Sequence, residues 1–302
     1  MSPQKLRAVW SPAYEVDIGA HVFPTEKYRR VKEELVRDGT LTPDSIRHPE
    51  PADWESVARV HSRAYLDRIK EGTLTREEER RLELPFSTAL REASLLNCGG
   101  TLEAGRWALG EGMAVHLGGG FHHAFADHGE GFCLLNDVAV AGAELRARQE
   151  VERVAIVDLD VHHGNGTAAI FCQEPQVFTF SMHQEANYPF LKPAGDLDVG
   201  LEDGVDDEAY LDLLERHLPT VLDGHGPQLV FYLAGADPYR EDQLGGLALS
   251  MNGLRLRDRT VFRECRARGI PVATVLAGGY ARRLADTVRI HGNTVREART
   301  LL

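Results

Sequence analysis

Asp160 and His162 stand two residues apart in the segment Val157-Asp158-Leu159-Asp160-Val161-His162-His163-Gly164-Asn165-Gly166. On an extended backbone, side chains two apart point to the same side. That spacing offers one oxygen and one nitrogen to a single divalent metal. A third ligand would complete a catalytic set with one coordination position left open, and Asp237 is the best candidate. It follows an apolar run at 229–234 and the small pair Gly235-Ala236, which lets the backbone approach closely. Two carboxylates and one imidazole are a harder set than a His-rich site, so Fe²⁺ and Co²⁺ are candidates beside Zn²⁺.

His122 and His123 follow Gly118-Gly119-Gly120-Phe121. Two imidazoles beside a metal-activated water make a general base and an electrostatic partner. Each needs an acceptor to orient it, and Asp158 is placed to hold one and Asn165 the other. Tyr280 follows Leu276-Ala277-Gly278-Gly279, and a phenol aimed into a metal site can donate to a developing oxyanion. An arginase-like binuclear site would need further bridging carboxylates. His163-Gly164-Asn165 supplies none, so one catalytic metal is expected.

These clusters share a setting. Each follows a short apolar run: 113–117, 154–159, 229–234 and 271–276. Further runs occur at 6–10 and 177–182. Runs nearly continuous in Val, Ile, Leu, Phe and Ala suit parallel strands buried on both faces. Helical patterns lie between them: one over 55–70 with Val57, Val60, Ala64 and Ile69 on a stripe, one after Asp206 and Asp207, and one over 258–268 stopped by Gly269-Ile270-Pro271. The polar stretch 73–81 reads as a solvated helix or loop. Strands alternating with helices predict an α/β fold, a doubly wound open parallel sheet with helices on both faces, formed as a single domain over 1–302. In such sheets ligands bind outside the carboxyl ends of the strands, where the four clusters can converge.

Composition narrows the function. The chain has 302 residues, 43% hydrophobic, enough for a large core. Mean hydropathy is −0.29 and no apolar run reaches the length of a membrane span. Met1 to Arg7 shows no secretory signal. The scattered cysteines, Cys98, Cys133, Cys172 and Cys265, read as reduced thiols of a cytoplasmic protein. A net charge of −12 argues against a nucleic-acid face and favours cationic partners such as lysine-rich peptides or polyamines.

Taken together the motifs resemble the histone deacetylase family of zinc amidohydrolases, in the arginase/deacetylase superfamily. The matching stretches are Arg59-Val60-His61-Ser62 with Tyr65, Gly119-Gly120-Phe121-His122-His123-Ala124, Gly131-Phe132-Cys133 with Asn136-Asp137, Asp158 to Gly164, and Ala277-Gly278-Gly279-Tyr280. Tyr14 to Tyr28, with His21-Val22-Phe23-Pro24, and Ser181-Met182-His183-Gln184 are similar to the class IV branch and its bacterial relatives. The resemblance implies that Asp160, His162 and Asp237 bind zinc. It makes His123 the general base and then acid, with His122 its electrostatic partner held by Asp158, and Tyr280 the group that polarises the scissile carbonyl. It implies Gly131 and Phe132 as one wall of an acyl-lysine tunnel, Tyr188 as the other, and Leu244 in the inner acyl pocket. It also implies a K⁺ site near Asp158, Asp160, His162, Ser181 and Met182. Asn165 departs from branches that carry Asp there, and no residue matches the rim aspartate that grips peptide in some relatives; Glu83 is near that region.

The expected activity is hydrolysis of Nε-acyl-lysine amides, acetyl or longer. The alternative substrates are acetylpolyamines or other small acylated amines, and the non-enzymatic alternative is an acyl-lysine reader. Oligomeric state is open.

Overall fold

The computed structural model describes residues 5–302, so the reading of Met1 to Gln4 lies outside the described residues. The strands are β1 (Arg7–Val9), β2 (Ile46–Arg47), β3 (Met113–His116), β4 (Val154–Asp158), β5 (Val177–Gln184), β6 (Leu197–Leu201), β7 (Leu229–Leu233) and β8 (Val272–Val275). They form one eight-stranded sheet in the order β2-β1-β3-β8-β7-β4-β5-β6, and every pair is parallel. The helices are α1 (Lys27–Arg37), α2 (Trp54–Val57), α3 (Arg63–Glu71), α4 (Arg76–Leu82), α5 (Thr88–Glu111), α6 (Asp137–Ala147), α7 (Asn165–Phe171), α8 (Asp207–His225), α9 (Met251–Ala267) and α10 (Leu284–Leu301).

The apolar runs read from the sequence all become strands, with ends trimmed or extended by a residue or two. The four strands that precede the polar clusters, β3, β8, β7 and β4, are contiguous at the centre of the sheet and buried along their whole length. Because the sheet is parallel, all four carboxyl ends open on the same edge.

Alternation along the central strands divides the core in two. Val115, Ala155, Val157, Val230, Tyr232 and Val272 pack with Val31 and Leu35 of α1, Leu214 and Leu218 of α8, Val261 and Phe262 of α9 and Val295 of α10. Ala114, Val154, Ile156, Phe231, Ala273 and Val275 pack with Ala104 and Ala108 of α5, Val138 and Leu145 of α6 and Phe171 of α7. Helices therefore cover both faces, and burial of these branched side chains is the main stabilising term. No helix among the described residues is long and apolar enough to cross a membrane.

Three local expectations change. The helix expected over 55–70 is two helices, α2 and α3. Ser62 breaks it: its side chain caps α3 by accepting from Tyr65 N, and its own N–H is taken by Ala126 O at 2.7 Å. The helix expected from 258 begins at Met251, capped by Ser250. Asp160 and His162 lie beyond the end of β4, in a bend, not on the strand itself.

Candidate active site

Four loops leave the central strands and meet. His122 and His123 come from the loop after β3, Asp160 and His162 from the bend after β4, Asp237 from the turn after β7, and Tyr280 from the loop after β8. Tyr280 is 9% exposed, and the other five are more buried still.

Close approach depends on small residues. A Cβ at Gly278 would collide with the Asp237 carboxylate, and one at Gly120, whose φ is +89°, would sit 2.6 Å from Ala277 Cα. Two non-glycine residues here also have positive φ, Phe132 at 70° and Ala277 at 56°. Such conformations are held by their surroundings and concentrate at functional sites.

The bend after β4 is tied to the other loops through carboxylates. Asp160 accepts from His162 N at 3.0 Å and from Gly278 N at 2.8 Å. Asp237 Oδ1 accepts from Val161 N at 3.0 Å. His162 Nδ1 then lies 3.0 Å from Asp160 Oδ1 and 3.4 Å from Asp237 Oδ2. The donor atoms of Asp160, His162 and Asp237 all fall within 4.8 Å of one another.

This trio fits a divalent metal. Asp237 Oδ2 is buried without a hydrogen-bond partner, a costly state that a cation would relieve. Burial and the neighbouring Asp160 push the Asp237 carboxyl up to about 7. Burial works against a charged His162, yet hydrogen bonds to Asp160 and Asp237 raise it to about 10. Two buried carboxylates thus demand positive charge between them.

The two histidines after the triple glycine have different acceptors. His122 Nδ1 donates to Asp158 Oδ2 at 2.6 Å. Burial would lower its pKa, but Asp158 carries it up to about 9. His123 Nδ1 donates to Asn165 Oδ1 at 2.7 Å. Burial, followed by repulsion from His122 and His162, holds it well below the ordinary imidazole value. One imidazole is therefore set toward the charged form and the other toward the neutral, proton-accepting form, the division of labour that acid–base chemistry uses.

Two cavities meet at these groups. The inner one is about 30 Å³ and is lined by His122, His123, Asp160, His162, Phe23, Phe121, Gly131, Phe132 and Tyr280 among others. The outer one is about 190 Å³, bounded by Glu83, Asn187, Tyr188 and Leu244, with Phe132 and Tyr280 shared. Leu244 therefore lines the outer cavity, which corrects its expected place in the inner pocket. A larger hollow lies against the β1–β2 edge between Arg7, Arg47, Glu103 and Trp107, and holds none of these groups.

A family model described as a histone deacetylase domain matches residues 21–295. The chain belongs to the histone deacetylase family. Its relatives include an uncharacterized protein of Picosynechococcus sp., 43% identical over 96% of this chain and 97% of that one. Histone deacetylase 2 of Arabidopsis thaliana is 33% identical, covering 94% of this chain and 78% of its own. The histone deacetylase-like amidohydrolase of Pseudomonas aeruginosa is 30% identical, covering 86% and 73%. Among solved structures, the HDA15 HD domain superposes with a TM-score of 0.79 over 98% of this chain and 89% of that one, at 21% identity. That match shows the deacetylase fold.

Two residues of this site were not singled out from the sequence. Glu130 accepts from Asn165 Nδ2 at 2.7 Å and from the Tyr188 hydroxyl at 3.1 Å. Lys27, fully buried in α1, donates to Ala277 O at 2.7 Å, and its ammonium lies 5.5 Å from the Tyr280 ring centre. Burial lowers it to about 8, against the pull of Asp237 and Asp160. Lys27 lies inside the matching stretch Tyr14 to Tyr28 and Glu130 directly precedes Gly131-Phe132-Cys133, and adjacency to those motifs was the available signal. Ser181 pairs with Asp158 in register, and its hydroxyl meets His183 Nδ1 at 2.9 Å. Met182 follows it, buried, in β5. A second group, His163, His183 and Asp198, also brings possible metal-binding atoms together, with His163 Nε2 3.2 Å from Asp198 Oδ1.

Proposed function

We propose that this deacetylase-family hydrolase cleaves the amide of Nε-acyl-lysine, with Zn²⁺ held by Asp160, His162 and Asp237. The observation that carries the reading is the lining of one small cavity by His122, His123, Asp160, His162 and Tyr280 together. Bound there, the metal would supply Lewis-acid polarisation of a carbonyl and acidification of water. Fe²⁺ is the alternative occupant, and K⁺ near Asp158, Asp160, His162, Ser181 and Met182 is a further structural cation.

The side chains divide the remaining work. Phe132 and Tyr188, across the outer cavity, would flank the aliphatic stem of the acyl-lysine, and Gly131 lets the wall pack closely, since a Cβ there would lie 2.9 Å from both His123 and the Tyr188 hydroxyl. His123, held toward its neutral form, accepts the proton from water and returns it to the departing amine. His122, fixed on Asp158, stands beside it as a positive partner. The Tyr280 hydroxyl donates to the developing oxyanion, a contact worth roughly 2.7–4 kcal/mol for one such donor. At about 30 Å³ the inner cavity has room for a water or two, which favours acetyl over long acyl groups.

The test is a turnover screen of zinc-loaded protein on acetyl-, butyryl-, octanoyl- and myristoyl-lysine peptides and on acetylated polyamines. Expected is peptide deacetylation falling with chain length, with kcat reduced about 10²–10³-fold in Tyr280→Phe. Turnover of polyamines alone would move the substrate to small acylated amines, a use to which the Glu83 carboxylate at the outer cavity lends itself. No turnover, with metal bound, would leave the acyl-lysine reader.

A further inference from the structure

The two histidine pairs end differently. His122 meets a carboxylate directly, whereas His123 meets the neutral carboxamide of Asn165. The second pair does not stop there. Asn165 Nδ2 continues to Glu130 Oε1 at 2.7 Å, and Asn165 itself is 1% exposed. We propose that Glu130 is a positioning residue that supplies His123 with negative charge through Asn165, and that it fixes which ring nitrogen of His123 carries the proton. The inference rests on the assignment of His123 as the proton acceptor in amide hydrolysis.

The logic follows from donors and acceptors. A carboxylate only accepts, so the face of Asn165 toward Glu130 must be its NH₂ group. Its carbonyl oxygen then faces His123. A carbonyl also only accepts, so His123 Nδ1 must carry a hydrogen. In the neutral ring, Nε2 is left as the bare lone pair, the form a proton acceptor requires. As His123 gains a proton, the carboxylate polarises the carboxamide and steadies the imidazolium. A chain of His123, Asn165 and Glu130 thus stands where a single aspartate would otherwise suffice.

Glu130 is built into position. Its N–H and C=O pair with Cys133 at 3.1 and 2.9 Å across a turn whose central residues, Gly131 and Phe132, both have positive φ. The same turn that projects Phe132 into the cavities therefore places the carboxylate. Oε2 lies 3.4 Å from His128 Nε2, and Oε1 also accepts from Tyr188. Burial would raise the carboxyl, but the contacts from His128, Asn165 and Tyr188 outweigh it and hold it below its usual value, in the charged form.

The test is a cycle whose sign reverses. In the native background, Glu130→Gln should lower kcat roughly 10–100-fold with little change in KM, the range seen when an orienting partner is removed. A Gln can present either end to Asn165, so the carboxamide is free to flip. In an Asn165→Asp background the charge already touches His123, and Glu130 becomes a repelling neighbour. There Glu130→Gln should raise kcat. Equal losses in both backgrounds would overturn the proposal, since a packing role has no reason to change sign. A readout independent of turnover is the His123 Nδ1 proton in metal-free, ¹⁵N-histidine-labelled protein, assigned by its disappearance in His123→Ala. It should be downfield in the native chain and shift or broaden in Glu130→Gln. An unchanged signal overturns the chain. If no acyl-amine is turned over, the substrate assignment fails and this resonance alone decides Glu130.

Discussion

His122 and His162, which line the site, and His61 and His116, outside its lining, are all buried. In the site, each imidazole faces carboxylates that raise it, to about 9 for His122 and about 10 for His162. Away from it the partners are neutral. His116 in β3 is bonded to Thr101 Oγ1 at 2.9 Å and Tyr14 OH at 2.8 Å, and burial lowers it to about 3. His61 is held between Phe125 O and Asn136 N, and burial lowers it to about 4. The residue type is the same; the neighbours decide whether a buried ring is an electrostatic component or a hydrogen-bonded piece of core. One region surrounds its rings with buried charge, and the other meets them with neutral partners.

The largest expected effect breaks that contrast at its centre. Asp237→Asn keeps Oδ1 for Val161 N but removes one of the two buried carboxylates. Turnover should fall about 10³-fold or more, the several kcal/mol that Lewis-acid chemistry contributes, and one equivalent of tightly bound metal should be lost. The metal-free variant should melt no lower than the metal-free native chain, because the charge removed is one that burial and Asp160 already disfavour. Retention of both metal and turnover would remove Asp237 from the site. A large drop in the metal-free melting temperature would show that the edge is built for stability after all.

The scaffold histidines should show the opposite phenotype. His61 and His116 are neutral when folded, and when unfolded they protonate near 6.5. Below that pH the unfolded chain therefore binds more protons, and stability falls as pH falls. The loss from His61 levels off near pH 4 and that from His116 near pH 3. These shifts correspond to about 3 kcal/mol for His61 and about 5 kcal/mol for His116. Thermal melts of metal-free protein between pH 4 and 7.5 should show the decline. His61→Gln, which leaves an amide where the ring was, should flatten it. A melting temperature independent of pH over that window would mean that these rings are not held neutral.

The same contrast explains what could be read in advance. The four central strands were legible because burial on both faces makes their sequences continuously apolar, and the clusters were legible because each follows such a run. The two outermost strands and the longest helix were not. β2 has only two residues, and β6, Leu197-Asp198-Val199-Gly200-Leu201, is an edge strand that alternates half-buried and exposed residues, so it lacks the signature sought. The long helix α5 carries Gly99, Gly100 and Gly105 and is buried on most sides, which erases the stripe that betrays an amphipathic helix. In the site, the metal trio and both histidines lie at motif positions. Glu130 does not, because its role depends on the distance to a residue 35 positions away. Leu244 was placed by the resemblance alone, and the loop's path carries it to the outer cavity.

The smallest effect concerns a place where scaffold and site touch. Helix α4 is entered through a reciprocal cap, with Thr75 Oγ1 accepting from Glu78 N at 3.2 Å and Glu78 accepting from Thr75 N at 2.8 Å. Its other end gives carbonyls to the cavity wall: Gly131 N reaches Arg81 O at 3.2 Å and Phe132 N reaches Leu82 O at 2.9 Å. Thr75→Ala should cost about 1 kcal/mol, the usual worth of such a cap. The fraying stays in the first turn, because Leu82 is 1% exposed and anchors the last. Turnover of an acetyl-lysine peptide should therefore change less than about twofold in kcat and KM, well under the 1.4 kcal/mol that a tenfold change represents. A several-fold rise in KM at constant kcat would show that loosening the first turn reaches Phe132, and that α4 belongs to the substrate channel and not to the scaffold.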